Sequence, residues 1–363
     1  MLYQKQRQTP APKQPSYGRA GFNRKTRSLL CAVLGVFMIV VLSSLALAIV
    51  TAPSKGSVLA YPPSGIAVSV VVPVYNVRPY IEKCLKSLLR QTLSESLIEL
   101  IFVDDMSTDG SFEFINEYAL RDPRVRLLRN DRNLGSGESR NFGMSVAKGE
   151  YIGFMDSDDS VDEEFYEKLY LRAKAKDLDI VKGASFTVNA SGVFESAYNR
   201  VVERRLRLNR KIFEAFHYQH QTAIYRKSVL DAHPGEIHFG NYSNAQDCMF
   251  LLSYGMYARS IGVQNDAKYY YLVRNDSASH NLNERFFRGN LLSMNDRLDF
   301  LESHMRIGSY NSYLKTYRKI MKERRKSLEK STITDPEIVR SIDIEFNATI
   351  KRISNLLEQG KGR

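Results

Sequence analysis

The feature that most constrains the fold is an alternation of short apolar runs with amphipathic segments that begins at Val68. The run VSVVVPV is continuous and β-branched, which predicts a buried strand, and the segment IEKCLKSLLRQTL has apolar residues at helical spacing. LIELIFVDD, SFEFINEYALRD, RVRLLRN, NLGSGESRNFGMSVAKG and YIGFMD continue this order. Repeated strand and helix pairs are typical of an α/β fold in which helices cover both faces of a mostly parallel sheet.

Two of the predicted strands end in acidic clusters. DDMSTDG closes the second strand, and YIGFMDSDD places Asp156, Asp158 and Asp159 directly after another. Mutual repulsion makes three adjacent carboxylates costly unless water or a cation lies among them. Ligands of such sheets bind at the carboxyl ends of the strands, so the clusters predict a binding crevice there.

An apolar segment precedes the first predicted strand. Residues 29–50, LLCAVLGVFMIVVLSSLALAIV, carry no charge, and as a helix they would span about 33 Å, enough to cross a bilayer. Seven basic residues precede the segment and only Lys55 follows closely, so the N-terminus is expected in the cytoplasm. We therefore expect a basic tail over 1–28, a transmembrane signal anchor over 29–51 and a Pro-, Gly- and Ser-rich stem over 52–66.

The apolar segment has two interpretations other than a signal anchor. A buried core helix would be expected to carry polar positions on one face. A cleaved signal peptide stays open because Ala46-Leu47-Ala48 resembles a cleavage site, although the apolar run exceeds the usual ~7 to 15 residues.

The net charge of +12 does not predict a nucleic-acid partner, because the excess lies at the two ends of the chain. The first 28 residues hold seven basic and no acidic side chains, and residues 285–363 hold 17 basic and 10 acidic ones. The region between them is close to neutral.

The ordered motifs resemble a known family. VSVVVPVYNVRPYIEKCLKSLLRQT, LIFVDDMSTDGS, DPRVRLL and NLGSGESRNFGMSVAKGEYIGFMDSDD are similar to the nucleotide-diphospho-sugar domain of family 2 glycosyltransferases. The resemblance is continuous from about Val68 to Lys182 and continues more thinly through AIYRKSVL, HFGNYSNAQDCMFLL and YYYLVRNDSAS to about His280. It implies a GT-A-like domain over residues 67–283.

The resemblance also implies roles for the residues at the strand ends. Pro73 and Tyr75 match positions that border the nucleoside, and Asp105 matches the acid that reads the nucleotide base, typically uracil. Asp104 precedes it at the end of the same strand. Arg140 is a candidate for the donor phosphates, with pairing to a surface carboxylate as the alternative.

The DSDD cluster matches the DXD motif of the family, which holds a divalent cation. Asp156 and Asp158 are the expected metal ligands, Asp156 also belongs to the nucleotide-sugar site, and Asp159 is a further candidate. Mn²⁺ or Mg²⁺ suits a site made of oxygen ligands, and such a cation would neutralise the departing diphosphate.

Asp247, in NAQDCMF, matches the general base of an inverting enzyme. Inversion requires a carboxylate that takes the proton from the acceptor hydroxyl as it attacks the anomeric carbon. The sequence departs from the family here, because Gln246 stands where many relatives carry Glu.

Several candidates have a structural alternative. Asp104 and Asp109 fit an Asx turn and a helix N-cap, and Asp159 and Asp162 could cap the helix that begins near VDEEFYEKLY. Four histidines in a polar segment are expected to be structural or solvated, although one could line the acceptor site; these are His217, His220, His233 and His238.

Residues 284–363 predict a helical C-terminal extension, because LLSMNDRLDFLESHM and YLKTYRKIMKERRKSLEK repeat apolar residues every three or four positions. This basic region is expected to brace the catalytic domain. Contact with an anionic membrane surface or with an acidic acceptor remains open.

The sequence thus predicts an inverting, metal-dependent transfer of a hexose or N-acetylhexosamine from a UDP-linked donor to a hydroxyl of a glycan or glycoconjugate. A catalytically inactive glycan-binding or scaffolding relative is one alternative, and transfer to a lipid phosphate is another. Because the predicted topology puts the domain outside the cytosol, where a Golgi lumen would supply donors, we expect a single-pass type II Golgi enzyme, or one of the endoplasmic reticulum.

Overall fold

A computed structural model of the protein describes residues 65–189, 192, 194–195, 204–205, 219–274, 282–305 and 308–360. The predicted basic tail, signal anchor and nearly all of the stem lie outside these residues. Within the described ranges, no helix is long and apolar enough to cross a membrane. The expected fold is therefore corrected to an α/β domain with a helical C-terminal region and no membrane-spanning helix among the described residues.

The ten strands that the described residues form belong to one sheet. They are β1 (Val68–Val74), β2 (Ile98–Asp104), β3 (Val125–Arg129), β4 (Tyr151–Phe154), β5 (Ser160–Val161), β6 (Ile180–Val188), β7 (Phe194–Glu195), β8 (Arg204–Arg205), β9 (Ala223–Arg226) and β10 (Ser260–Leu272). The main order is β3-β2-β1-β4-β9-β6-β10-β5, with β7 paired to β6 and β8 paired to β10.

The sheet is mixed, which corrects the expectation of a mostly parallel sheet. The pairings among β1, β2, β3 and β4 are parallel, as the repeated pattern predicts. β9 then lies antiparallel to both β4 and β6, and β5 lies antiparallel to β10. Because antiparallel neighbours need no helical crossover, the regular alternation that marks the first half of the domain does not extend to these strands.

Nine α-helices accompany the sheet in the described residues. They are α1 (Arg78–Leu89), α2 (Ser111–Ala119), α3 (Ser136–Val146), α4 (Phe165–Lys176), α5 (Lys227–Asp231), α6 (Gln246–Tyr257), α7 (Glu284–His304), α8 (Asn311–Lys326) and α9 (Pro336–Gln359).

Helices cover both faces of the sheet, as predicted. Successive side chains of a strand point to opposite faces. Val70 and Val72 of β1 pack in one apolar cluster with α1 and α4, whereas Val71 packs in another with α3 and α6. The continuous β-branched run is therefore buried on both sides, and β1 lies between two apolar layers.

The C-terminal region is helical, as predicted, and has its own apolar cluster. Side chains of α7, α8 and α9 form this cluster together with Met249 and Leu252 of α6. The amide of Phe286 donates to the Asn283 side chain at the start of α7, which satisfies a helix N-terminal N–H group. The contact with α6 connects this region to the sheet domain.

Gly143 allows α3 to lie close against the sheet. A Cβ atom at this position would lie 2.4 Å from Cγ1 of Val71 and 3.2 Å from Cγ2 of Val103, and both valines are fully buried. We expect Gly143→Ala to lower the free energy of unfolding by about 1–3 kcal/mol, because overpacking outweighs the better helix propensity of alanine. Urea denaturation would measure the change. Ser145→Ala, at an exposed position of the same helix, is the control and should stay within about 0.5 kcal/mol of wild type; equal stability of the two variants would contradict this packing account.

Candidate active site

A cavity of about 560 Å³ opens at the carboxyl ends of β1, β2 and β4. Its lining includes seven of the residues that the sequence predicts for the site: Pro73, Tyr75, Asp105, Arg140, Asp156, Asp158 and Asp247. A larger cavity of about 710 Å³ lies beside α1 and β5 and contains none of them. The chemistry of the lining, rather than the volume, therefore selects the smaller cavity as the candidate site.

Tyr75 lies at this cavity just beyond β1. Its side chain is 50% exposed, which is unusual for a large aromatic residue beside a buried strand. An exposed aromatic face next to a polar cavity suits contact with a planar ring, as expected for a residue that borders a nucleoside. Asn76, the next residue, has a φ of +49° and donates its backbone N–H to Ser107, which fixes the turn that carries the tyrosine.

Asp105 lies at the end of β2 and organises the loop that leads into α3. Its Oδ1 accepts hydrogen bonds from Asn130 Nδ2 at 2.7 Å and from the amide of Leu134 at 2.8 Å. Its Oδ2 accepts from the amide of Gly135 at 2.7 Å, and that glycine has a φ of +89°. The carboxylate thus sets the position at which α3 begins, while its role in reading a base stays a prediction.

Asp104 and Asp109 make the contacts of turn residues. Asp104 is fully buried outside the cavity lining, where it accepts the amide of Ser107 and lies 3.2 Å from Arg129 Nε. Asp109 accepts the amide of Arg78 at 2.8 Å. Burial opposes the ionisation of Asp109, but hydrogen bonds from its neighbours outweigh this effect and hold its pKa below the ordinary value. Both residues therefore fit the structural alternative.

Arg140 on α3 is buried at the cavity with a guanidinium that is only partly paired. Its Nη2 donates to Asp156 Oδ1 at 2.6 Å, and the guanidinium carbon lies 5.3 Å from the centre of the Phe239 ring. Within the described part of the chain, its Nε and Nη1 have no hydrogen-bond partner although both atoms are buried. Two unpaired cationic donors are costly to bury, so the geometry suits an anionic ligand that accepts from both.

The three carboxylates of DSDD have different environments. The side chains of Asp156 and Asp158 are 26% and 18% exposed and line the cavity, where Asp158 lies 2.9 Å from Arg274 Nε. Asp159 points inward instead: it accepts the hydroxyl of Tyr269 at 2.6 Å and the amide of Leu272 at 2.8 Å. Asp159 thus ties this loop to β10, a role that the sequence did not suggest.

Burial, followed by the negative charges of Asp156 and Asp158, raises the pKa of Asp159 well above its ordinary value. Because Asp159 is only 1% exposed and both of its carboxylate oxygens already accept hydrogen bonds, it does not face the cavity as a metal ligand would. Asp162, the other candidate helix cap, accepts the hydroxyl of Tyr270 with its side chain and the amide of Phe165 with its backbone carbonyl.

Asp156 and Asp158 fit a divalent cation in part. Among the residues that the structure describes, no group of three or more His, Cys, Asp or Glu side chains could hold a metal ion. Mg²⁺, however, is usually bound by one or two carboxylates together with the phosphates of a substrate. Two partly exposed carboxylates on one short loop match that donor set, provided that a diphosphate supplies the remaining oxygens.

Asp247 lies in the first turn of α6, and its side chain is 21% exposed to the cavity. Burial opposes its ionisation, but the proximity and charge of His220, followed by the charges of Arg140 and Arg297, outweigh burial and lower its pKa. The carboxylate is therefore ionised near neutral pH and able to accept a proton. Gln246 donates to Ser136 Oγ at 2.5 Å and so links α6 to α3.

The sequence did not single out several residues that line the cavity. Among them are Gln221, Tyr271, Arg274, Phe286, Asn290 and Arg324. The last three belong to the C-terminal helices, so this region does more than brace the domain. His220 also lines the cavity, and it is one of the four histidines of which the sequence allowed one to line the acceptor site. No local pattern marks the other residues, because distant parts of the chain bring them to the cavity.

Comparisons with known proteins show which sequences this chain resembles. Residues 69–233 match the family model described as glycosyl transferase family 2. The chain is 33% identical over 226 residues to glycosyltransferase GlyG of Streptococcus pneumoniae, covering 58% of this chain and 72% of that protein. It is 34% identical over 211 residues to a poly(ribitol-phosphate) beta-glucosyltransferase of Bacillus spizizenii, covering 58% of this chain but only 32% of the relative.

Solved structures show the same fold. The crystal structure of residues 1–349 of Staphylococcus aureus TarS in complex with UDP-GlcNAc aligns with a TM-score of 0.55 at 20% identity, covering 82% of this chain and 92% of that one. At this identity the likeness concerns the fold.

The expected localisation as a type II Golgi protein is corrected by these findings. The relatives named above come from bacteria, which have no Golgi apparatus. The expectation also depended on the predicted anchor over 29–51, which lies outside the described residues, and no helix within those residues could cross a membrane.

The ordered motifs converge on one cavity, and the family model matches residues 69–233. GlyG is 33% identical to this chain, and the alignment covers 72% of GlyG. The chain belongs to glycosyl transferase family 2.

Proposed function

We propose that the protein is an inverting glycosyltransferase that moves a hexose or N-acetylhexosamine from a UDP-linked donor to a hydroxyl of a glycan acceptor. The observation that carries the proposal is the guanidinium of Arg140, whose Nε and Nη1 are buried at the cavity and unpaired among the described residues. A diphosphate offers the acceptor oxygens that these two donors lack. The similar TarS structure contains UDP-GlcNAc, which makes this nucleotide sugar the first donor to test.

The cavity divides into a donor side and an acceptor side. Tyr75 and Asp105 lie at the ends of β1 and β2, next to the loop that carries Asp156 and Asp158. This edge suits the nucleoside and the diphosphate. The part of the cavity next to α6 carries Asp247 together with residues of the C-terminal helices, which pack against α6. The acceptor glycan is assigned to that side.

Asp156 and Asp158 would hold a divalent cation together with the donor phosphates. When bound, Mn²⁺ or Mg²⁺ supplies positive charge that stabilises the diphosphate leaving group. In the structure each carboxylate is paired with an arginine. Nη2 of Arg140 lies 2.6 Å from Oδ1 of Asp156, and Nε of Arg274 lies 2.9 Å from Oδ2 of Asp158. Both arginines lie where they could transfer their hydrogen bonds to phosphate oxygens.

Asp247 is proposed as the general base. Its carboxylate takes the proton from the acceptor hydroxyl while the hydroxyl oxygen forms a bond to the anomeric carbon. On the opposite face, the bond between the anomeric carbon and the diphosphate oxygen breaks, and its electron pair leaves with the diphosphate. One such displacement inverts the configuration. The lowered pKa of Asp247 keeps the base in its ionised form.

A screen of nucleotide release tests the proposed function. UDP-, GDP- and CMP-linked sugars are incubated with the protein, with and without Mn²⁺, and the released nucleotide is measured. We expect turnover of a UDP-linked sugar that requires the cation and stops on chelation. Binding of UDP without turnover of any donor would favour the inactive glycan-binding relative, and turnover of a CMP-linked sugar without a cation would contradict the diphosphate assignment.

Arg140→Gln should weaken donor binding. Hydrogen bonds to charged groups contribute about 1.5–3 kcal/mol, so losing the guanidinium should raise the Kd of UDP-GlcNAc about 10- to 100-fold. Calorimetric titration measures this change. Arg129→Gln is the matched control, because this arginine is near the same strand ends but pairs with Asp104 outside the cavity lining. Equal affinity of wild type and Arg140→Gln would remove Arg140 from the donor site.

A further inference from the structure

His220 is buried in contact with the proposed base. It begins the short turn His220–Thr222 that precedes β9, and its side chain lines the cavity although the residue is only 4% exposed. Its Nδ1 lies 3.6 Å from Oδ2 of Asp247. The ring also packs beside Phe239 and Phe154, with centroid distances of 5.3 Å and 5.9 Å.

The two ring nitrogens of His220 are both buried without a hydrogen-bond partner among the described residues. Leaving a buried polar group unpaired costs about 1–3 kcal/mol. A phenylalanine could fill the space between Phe154 and Phe239 without this cost, so packing alone does not explain an imidazole here. The backbone is fixed independently, because the carbonyl of His220 accepts the hydroxyl of Tyr225 at 3.0 Å.

We propose that His220 is a positioning residue that orients Asp247 for the transfer step, an inference that rests on the proposed function. In the complex with substrates, the Nδ1–H of His220 donates to Oδ2 of Asp247. That bond fixes the plane of the carboxylate and leaves Oδ1 to take the proton of the acceptor hydroxyl. Closing the gap from 3.6 Å to hydrogen-bond length requires less than 1 Å of movement, and catalytic hydrogen bonds commonly tighten when substrates bind.

Other charged groups around Asp247 do not replace this contact. Arg140 lies on α3 and already donates to Asp156. Arg297 on α7 is buried, with Nε donating to the carbonyl of Ser293 and Nη1 donating to the hydroxyl of Tyr313. Both guanidinium groups lower the pKa of Asp247 through their charge. His220 is the group whose ring nitrogen faces an oxygen of the carboxylate.

Two substitutions separate orientation from packing. In His220→Asn, the amide N–H occupies nearly the place of Nδ1–H; in His220→Phe, the ring volume is kept and the donor is lost. We expect His220→Phe to lower kcat about 10- to 100-fold with an unchanged Kd for the donor, and His220→Asn to recover most of that loss. The opposite order would show that His220 only fills space. His233→Phe, at a ring stacked on Tyr257, is the control and should behave as wild type.

The pH profile of kcat provides a second readout. Asp247 must be ionised to act as a base, so kcat falls as the pH drops through its pKa. Because the proximity of His220 lowers that pKa, its removal in His220→Phe should move the acid limb to higher pH. An acid limb that stays in place would contradict a direct interaction between the two side chains.

A spectroscopic measurement tests the contact without turnover. In the intact protein with labelled histidine, and with UDP-GlcNAc and Mg²⁺ present, the His220 ring should give an Nδ1–H signal. The signal is distinguished from those of the other five histidines by its loss in His220→Phe. We expect this signal to shift in Asp247→Asn. The proposal would be overturned if the His220 ring carried a proton on Nε2 alone, or if its Nδ1–H signal had the same position in wild type and Asp247→Asn. If the spectrum agrees but no donor is consumed, the contact stands and the proposed function fails.

Discussion

Asp247→Asn is expected to lower kcat by about 10²- to 10⁴-fold, the usual contribution of a general base. The amide keeps the volume and the position of the carboxylate at the start of α6 but cannot accept the proton of the acceptor hydroxyl. Since Asp247 lies on the acceptor side, the affinity for UDP-GlcNAc should be unchanged. Nucleotide release at saturating donor, combined with calorimetric titration, separates the two effects.

Asp266→Asn is the matched control for this experiment. Asp266 is an exposed carboxylate that lies outside the cavity lining, where it accepts from Gln264 Nε2 at 2.7 Å. Its amide variant should keep wild-type turnover. If Asp247→Asn were as active as Asp266→Asn, the base would have to be assigned to another residue, and the role of His220 would fail with it.

Asp158→Ala is expected to abolish the part of the turnover that depends on the cation. Charge stabilisation by a metal ion contributes several kcal/mol to the transition state, so we expect a loss of at least about 100-fold. Asp158 is one of two carboxylates that face the cavity from the DSDD loop. Nucleotide release by Asp158→Ala is measured across a titration of Mn²⁺. The variant should reach neither the rate of wild type nor the dependence of that rate on the cation.

Asp162→Asn is the control for the acidic loop, because its side chain accepts from Tyr270 outside the donor cavity. It should retain the cation dependence of wild type. Turnover of wild type that is insensitive to chelation, together with an active Asp158→Ala variant, would contradict the assignment of this loop as a cation site.

The strands and helices nearest the site could be predicted from the sequence because their signals are local. The continuous run of β1 and the acid-tipped ends of β2 and β4 predicted a crevice, and seven predicted residues line one cavity. The mixed order of the sheet could not be predicted in this way. β9 has four residues, and nothing in AIYR specifies that it enters antiparallel between β4 and β6.

Long-range contacts also decided which acidic residues reach the cavity. The sequence left Asp159 as either a helix cap or a metal ligand, because its actual partner, Tyr269, lies 110 positions away in the chain. His220 and Arg274 reach the site by the same kind of contact with Asp247 and Asp158. A pattern of residue types identifies where carboxylates cluster, but only the packed fold shows which of them face the cavity.

A crystal structure of the protein with UDP and Mn²⁺ tests the central claim most directly. We predict that diphosphate oxygens accept hydrogen bonds from Nε and Nη1 of Arg140, and that the cation binds Asp156 and Asp158. UDP bound elsewhere, for example in the larger cavity lined by Lys83 and Lys86, would contradict the assignment of the donor site.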